Sequence, residues 1–259
     1  MPEARVAARV LCALVLLLGG CRPAVAESLT VSVLRQLPHD PEAFTQGFEL
    51  DGDTLYESTG LVGRSSVREV DPESGEVIRR RDVPIVFAEG LTVVGEELLQ
   101  LTWRDGLLLR WDKETFEPRG SARYQGEGWG LCFDGEALWM SDGSSRLTRR
   151  DPATFAVLAT LDVRRDGQPV ARLNELECVG DDVYANVWLT DEIVRIDSAT
   201  GEVTATIDAS PLRRLLPAGL SPDAVLNGIA YDADRDLFLL TGKLWPSAFE
   251  VRFVSPPSD

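Results

Sequence analysis

The chain has 259 residues, 44% of them hydrophobic and 26% charged, the composition of a packed globular protein rather than a disordered one. Asp and Glu number 42 against 26 Lys and Arg, a net charge of −16, which repels a phosphate backbone and argues against nucleic acid as a partner. The single histidine, His39, excludes zinc motifs built on two imidazoles and leaves a Ser-His-Asp triad only one residue to be built on.

Residues 1–26 read as an export signal. Arg5 and Arg9 supply its charge, and Val10 to Leu18 is an unbroken apolar run. That run is too short to cross a bilayer, which needs about 20 residues, and suits the apolar segment of a signal peptide. Two cleavage readings stand. Leu18-Gly19-Gly20-Cys21 resembles a bacterial lipobox, in which Cys21 is lipidated and anchors the protein to a membrane; Ala24-Val25-Ala26 would release a soluble protein. The lipobox is preferred because its cysteine sits just after the apolar run. Either way the folded domain is expected at residues 27–259, as an exported, periplasmic monomer. Beyond the signal only Cys132 and Cys178 remain, expected as two buried small apolar residues, with a disulfide open to them in an oxidising compartment.

The body is repetitive. Leu29 to Leu37 is a strand without a hairpin partner of its own. Then five hairpins follow, each an apolar strand, a Gly or acidic turn and a second apolar strand: Gln46–Ser58, Glu89–Leu101, Trp129–Ser141, Asn174–Asn186 and Asn227–Leu240. The first four continue into a third strand that ends on Asp71, Asp112, Asp151 or Asp197, residues suited to a tight turn, and then a fourth strand. Four strands in each unit of roughly 40–50 residues predict a β-propeller. The fold expected is therefore all-β, a single five-bladed propeller. The fifth unit lacks its fourth strand, and the N-terminal strand is expected to supply it and close the ring. A longer gap before the fifth hairpin contains Ser210-Pro211, read as an N-cap serine opening a short helix. Arg79-Arg80-Arg81 reads as a solvated outer strand facing acidic partners.

Equivalent positions in such a repeat form rings about the axis. The residue opening each hairpin is Gln46, Glu89, Trp129, Asn174 or Asn227; fourteen residues on come Gly60, Trp103, Gly143, Trp188 and Thr241, with Lys243 two beyond. Phe44 and Phe87 lie two residues before the first ring, as do Glu127, Arg172 and Val225. One face thus gathers a carboxylate, amides, a lysine and aromatic side chains, the composition of a small-ligand pocket. Glu127 and Arg172 could pair with each other at its rim, and His39 is expected as a loop residue without an identified carboxylate partner.

These residues resemble the plant and bacterial type of glutamine cyclotransferase. The resemblance runs from about Val31 to Phe253, through Pro38-His39-Asp40-Pro41, Phe44-Thr45-Gln46-Gly47, Tyr56-Glu57-Ser58-Thr59-Gly60, Phe87-Ala88-Glu89-Gly90, Gly126-Glu127-Gly128-Trp129-Gly130, Leu173-Asn174-Glu175, Asn186-Val187-Trp188, Asn227-Gly228 and Thr241-Gly242-Lys243-Leu244-Trp245. It implies a five-bladed propeller that converts the N-terminal glutamine of peptides or proteins to pyroglutamate with release of ammonia, without a metal or other cofactor. It implies Glu89 as the catalytic carboxylate, Gln46, Asn174 and Lys243 as polar partners of the reacting amide, and Phe44, Phe87, Trp103, Trp129, Trp188 and Asn227 as substrate-binding residues.

Two other classes compete. A non-enzymatic propeller could bind peptide or a protein partner through the same face, since fold does not fix function. A calcium-dependent propeller hydrolase would need several channel carboxylates, and Glu89 is the one carboxylate at the hairpin-opening positions.

Overall fold

The computed structural model describes residues 25–257; the charged and apolar parts of the signal, and Cys21 with its lipidation, lie outside the described residues. From Glu27 onward, alternating apolar and polar residues punctuated by Gly and Asp turns produce strands. After β1 (Glu27–Pro38) come β2 (Thr45–Asp51), β3 (Thr54–Thr59), β4 (Ser66–Val70) and β5 (Val77–Asp82). The next group is β6 (Ala88–Val94), β7 (Glu97–Thr102), β8 (Leu107–Asp112) and β9 (Pro118–Arg123). A third holds β10 (Leu131–Phe133), β11 (Leu138–Ser141), β12 (Arg146–Arg150) and β13 (Val157–Asp162), followed by a small hairpin of β14 (Arg164–Arg165) and β15 (Gln168–Pro169). Then come β16 (Leu173–Val179), β17 (Asp182–Val187), β18 (Glu192–Asp197) and β19 (Val203–Asp208), and last β20 (Leu226–Asp232), β21 (Leu237–Gly242) and β22 (Ser247–Val254).

The architecture is all-β and propeller-like. β2–β5, β6–β9 and β10–β13 are each a four-stranded antiparallel meander, whereas β16–β19 and β20–β22 share one eight-stranded sheet with β1. β1 lies antiparallel to β22, with Val31 opposite Phe253 and Pro38 opposite Ser247, as its missing-strand role requires. It also runs parallel to β19, with Glu27 opposite Ala205 and Thr30 opposite Asp208, a second pairing the repeat pattern does not announce. The N-terminal strand thus fastens the last two meanders together and leaves neither with a free edge there. The first strands of the five meanders neighbour one another in a cycle, β2 against β6, β6 against β10, β10 against β16, β16 against β20 and β20 against β2.

The turns follow their aspartates. The Oδ1 atoms of Asp71, Asp112, Asp151 and Asp197 each accept backbone N–H groups two and three residues on, at 2.7–3.1 Å. Between the sheets lie apolar layers, such as Tyr56, Val67, Leu91, Leu98, Trp111 and Phe116 between the first two meanders. Each such side chain contributes roughly 1.5–3 kcal/mol on burial, so the rings of polar residues at the strand ends are carried on a rigid frame.

Three expectations are corrected. Cys132 on β10 and Cys178 on β16 are not two free apolar residues but a disulfide, with Cα atoms 5.5 Å apart, tying the third meander to the fourth. Strand packing brings them opposite one another, which spacing alone could not show. The segment at Ser210 is a single stretch of 3-10 helix, Ser210–Leu215, capped at Ala209 without a side-chain bond; Ser210 itself donates its N–H to Asp208 at 2.9 Å. Glu127 pairs with Arg104, at 2.9 Å, and not with Arg172: Trp103, next to Arg104, is bonded to Gly128 beside Glu127, whereas the Arg172 backbone is bonded to Gly143 and Trp188. The Arg79–Arg81 run is an outer strand with acidic partners, as read: Arg79 meets Glu69 at 2.9 Å and Arg81 meets Glu117 at 3.1 Å.

Candidate active site

The strand ends on one face surround a cavity of about 200 Å³ lined by Phe44, Gln46, Phe87, Glu89, Trp103, Trp129, Asn174, Trp188 and Lys243, together with Leu189, Asp223 and Val225. The repeat register explains the convergence. The amide N–H groups of Gly60, Trp103 and Trp188 donate to the carbonyls of Phe44, Phe87 and Arg172 at 2.8–2.9 Å, so these positions are structurally equivalent. In the last meander the equivalent bond is made by Lys243, to Val225 at 2.9 Å, and not by Thr241. The final hairpin is two residues longer than the others, and this extension delivers a lysine where its counterparts carry tryptophan or glycine.

Glycine at two of these positions makes room for aromatic rings. A Cβ on Gly60 would lie 2.4 Å from the Phe87 ring, and one on Gly143 would lie 2.6 Å from the Trp129 ring. The rings then meet edge to face or tilted: Phe44 with Phe87 at 6.1 Å between centroids, Phe87 with Trp103 at 5.5 Å, and Trp129 with Trp188 at 5.3 Å. All five are half-buried and form the cavity wall, above a buried polar floor.

That floor is a chain of hydrogen bonds centred on Gln46. Its Nε2 donates to Glu89 Oε1 at 3.1 Å, and its Oε1 accepts from the Lys243 ammonium and from Asn227 Nδ2, the latter at 3.4 Å. A cation on one side and a carboxyl on the other therefore fix which way the Gln46 amide points. Burial pushes the Glu89 carboxyl well above its ordinary range; Lys243 opposes the push and the negative charge of Glu127 adds to it. Burial likewise brings Lys243 down to about 8, against the attraction of Glu89 and Asp223. Lys243 also sits over the Phe44 ring, 4.9 Å from its centroid. Asn174 presents its side chain to the cavity while its backbone carbonyl is taken by the Ser141 hydroxyl at 2.6 Å.

The structure thus brings together every expected site residue except two. Asn227 is fully buried behind Gln46, donating to the Thr45 carbonyl at 3.0 Å, and so supports the floor rather than the cavity surface. Cys21 lies outside the described residues. Leu189 and Asp223 went unread because neither sits at a ring position. Leu189 occupies a turn after β17 with φ 66°, and Asp223 belongs to the long connection before β20.

Beside this cavity is a second charged group. His39 is buried in its loop, and it has the carboxylate partner that sequence reading did not supply: Nε2 meets Glu57 Oε1 at 3.0 Å, and Nδ1 donates to the Trp245 carbonyl at 2.7 Å. Thr45 donates to the same Glu57 oxygen at 2.7 Å, and Arg68 approaches the other at 3.6 Å. On the axis itself, Glu175 accepts backbone N–H groups from Phe48 at 3.2 Å and Ile229 at 2.9 Å, spanning the ring of first strands. Among the described residues no group of three or more His, Cys, Asp or Glu is arranged to hold a metal ion.

A family model described as glutamine cyclotransferase matches residues 8–253. A protein of Arabidopsis thaliana named glutaminyl-peptide cyclotransferase is 43% identical over 227 residues, covering 86% of this chain and 71% of that protein. The crystal structure of Myxococcus xanthus glutaminyl cyclase is similar with a TM-score of 0.85 at 40% identity, covering 90% of this chain and all of that one.

Proposed function

The chain belongs to the glutamine cyclotransferase family, and on that premise we propose that its aromatic cavity converts the N-terminal glutamine of peptides and proteins to pyroglutamate with release of ammonia. The observation that carries this reading is a buried carboxyl, Glu89, at the floor of a small aromatic cavity, with a neutral amide between it and the nearest cation.

The reaction is intramolecular. The substrate's α-amine forms a bond to the carbon of its own side-chain carboxamide, and the bond from that carbon to the amide nitrogen breaks. A closed aromatic wall that folds the substrate back on itself supplies much of the rate by holding the two groups together. The attacking amine gives up a proton and the departing nitrogen needs one. Glu89 takes the first and returns it as the second, so no net charge is left on the enzyme. Burial raises its pKa, which makes it a stronger base toward the amine than an exposed carboxylate would be. The oxyanion of the tetrahedral intermediate is met by the Lys243 ammonium and the Asn174 amide. Gln46 holds Glu89 and Lys243 apart, so that they do not neutralise each other.

The same reading makes the enzyme an acyltransferase that needs no metal; the single histidine supports this, since it excludes zinc motifs built on two imidazoles. It takes the five meanders to be five blades of a propeller closed by β1, acting as an exported monomer. Export is supported by the signal-like residues 1–26 and by the Cys132–Cys178 disulfide; whether the mature form is soluble or carries lipid on Cys21 turns on which cleavage motif is used. Purified protein incubated with a Gln-initiated peptide should release ammonia and leave a product lighter by that mass, with or without chelator. An inactive protein, or activity lost to chelator and restored by zinc, would overturn the corresponding part of the reading.

A further inference from the structure

We propose that Glu127 is a positioning residue that ties the two halves of the aromatic wall into one surface; this rests on the reading of the cavity as the site of cyclisation. The wall consists of two separate ring groups. Phe44, Phe87 and Trp103 touch in sequence, and Trp129 touches Trp188. The join between them is a carboxylate. Glu127 Oε2 accepts the Trp103 indole N–H at 2.7 Å and the Trp129 indole N–H at 3.0 Å. Its Oε1 accepts Arg104 Nε at 2.9 Å, and the Arg104 guanidinium lies 3.7 Å from the centroid of the Trp103 ring, covering its outer face.

An indole nitrogen only donates, so two indoles meeting at one point need an acceptor with capacity for both, and an ionised carboxylate has it. Although partial burial works against ionisation, the bonds from Trp129, Trp103 and Arg104 hold Glu127 below the usual carboxylate range. Three donors occupy it, so it is not itself a candidate base. The loop carrying it is anchored, since Gly128 N–H donates to the Trp103 carbonyl at 3.0 Å. A second consequence is electrostatic. Glu89 is faced by Gln46, by the Lys243 cation and by the negative charge of Glu127, while Lys243 is faced by Glu89 and Asp223. Glu127 therefore sets the shape of the wall, and its charge adds to the upward push that burial puts on the Glu89 carboxyl.

The test is a kinetic comparison on a Gln-initiated peptide. Glu127→Ala should raise KM roughly tenfold and change kcat less, because a wall grips substrate and transition state alike. Glu127→Gln keeps an acceptor oxygen but loses the charge. It should move the acid limb of kcat/KM to lower pH, a change that lost packing would not produce. With Trp103→Phe and Trp129→Phe in place, Glu127→Ala should add less than about twofold to KM, since its partners no longer donate. An undiminished effect in that background, or an unmoved acid limb, overturns the proposal. Should the wild type release no ammonia, the cyclotransferase reading fails on its own. The clamp is then judged by the indole nitrogen–proton NMR spectrum, in which Glu127→Ala must shift the Trp103 and Trp129 resonances; unshifted resonances overturn it.

Discussion

Glu57 and Glu89 are both buried, 1% and 5% exposed, and Ser58, next to Glu57, donates its hydroxyl to the backbone carbonyl of Glu89. Burial pushes both carboxyls up. At Glu57 the push is overcome by the His39 ring, Arg68 and the Thr45 hydroxyl, which hold the carboxyl below its ordinary range. Glu57 in turn raises His39, overcoming the burial that would lower it. At Glu89 the nearest cation is one amide away, and the carboxyl stays well above its ordinary range. Similar depth in the fold therefore yields a closed ion pair in one place and an uncompensated acid in the other. What decides is whether the cation touches the carboxyl or is separated from it by Gln46. The first arrangement suits holding the loop that carries Lys243, whose neighbour Trp245 is bonded to His39. The second suits moving a proton.

Exchanging the two carboxyls for amides should separate activity from stability. Glu89→Gln keeps the shape and should lower kcat by roughly 10²–10⁴, the scale of general acid–base catalysis, without lowering the melting temperature. Glu57→Gln should do the reverse, removing about 3–5 kcal/mol of stability by leaving His39 and Arg68 without their shared partner, as measured by denaturant unfolding. Lys243→Ala should cost roughly 10²-fold in kcat, as removal of one oxyanion donor does.

The pH dependences sharpen the contrast. kcat/KM should rise from acid as Glu89 ionises and fall as Lys243 loses its proton near about 8; Lys243→Arg, which stays charged, should remove the alkaline limb. Stability should follow the other pair. The His39 contribution is complete below its ordinary value of 6.5 and is lost as pH rises through its raised folded value. The Glu57 contribution is complete above 4.5 and is lost as pH falls through its lowered folded value. Unfolding free energy should thus be greatest between those two values, and His39→Gln should flatten the alkaline decline.

Much of this was legible because a repeat turns sequence position into spatial position. The four turn aspartates, the five wall aromatics and the Glu89 ring could be aligned with one another before any coordinates. What stayed hidden depended on contacts across repeats. Glu57 lies in the Tyr56–Gly60 segment, yet nothing in its spacing announces His39, which reaches it from the loop after β1. Glu175 takes a position where Gly47, Gly90, Gly130 and Gly228 have no side chain, and only the ring's closure shows its carboxylate spanning to Phe48 and Ile229. The register put Lys243 on this face and the resemblance gave it a role, but its equivalence to Trp103 and Trp188 emerged from backbone bonds alone. The parallel pairing of β1 with β19 and the Cys132–Cys178 disulfide are likewise products of three-dimensional closure, which a strand's own pattern does not encode.

Contact with a cation, and not depth of burial, distinguishes these two carboxyls. Carbon-13 NMR titration of the side-chain carboxyls in the free protein, with Glu57 and Glu89 assigned through their Gln variants, tests it most directly. Glu57 should titrate below 4.5 and Glu89 well above it. If both titrate on the same side of that value, the distinction between the paired and the amide-separated carboxyl is wrong, and with it the assignment of Glu89 as the proton carrier.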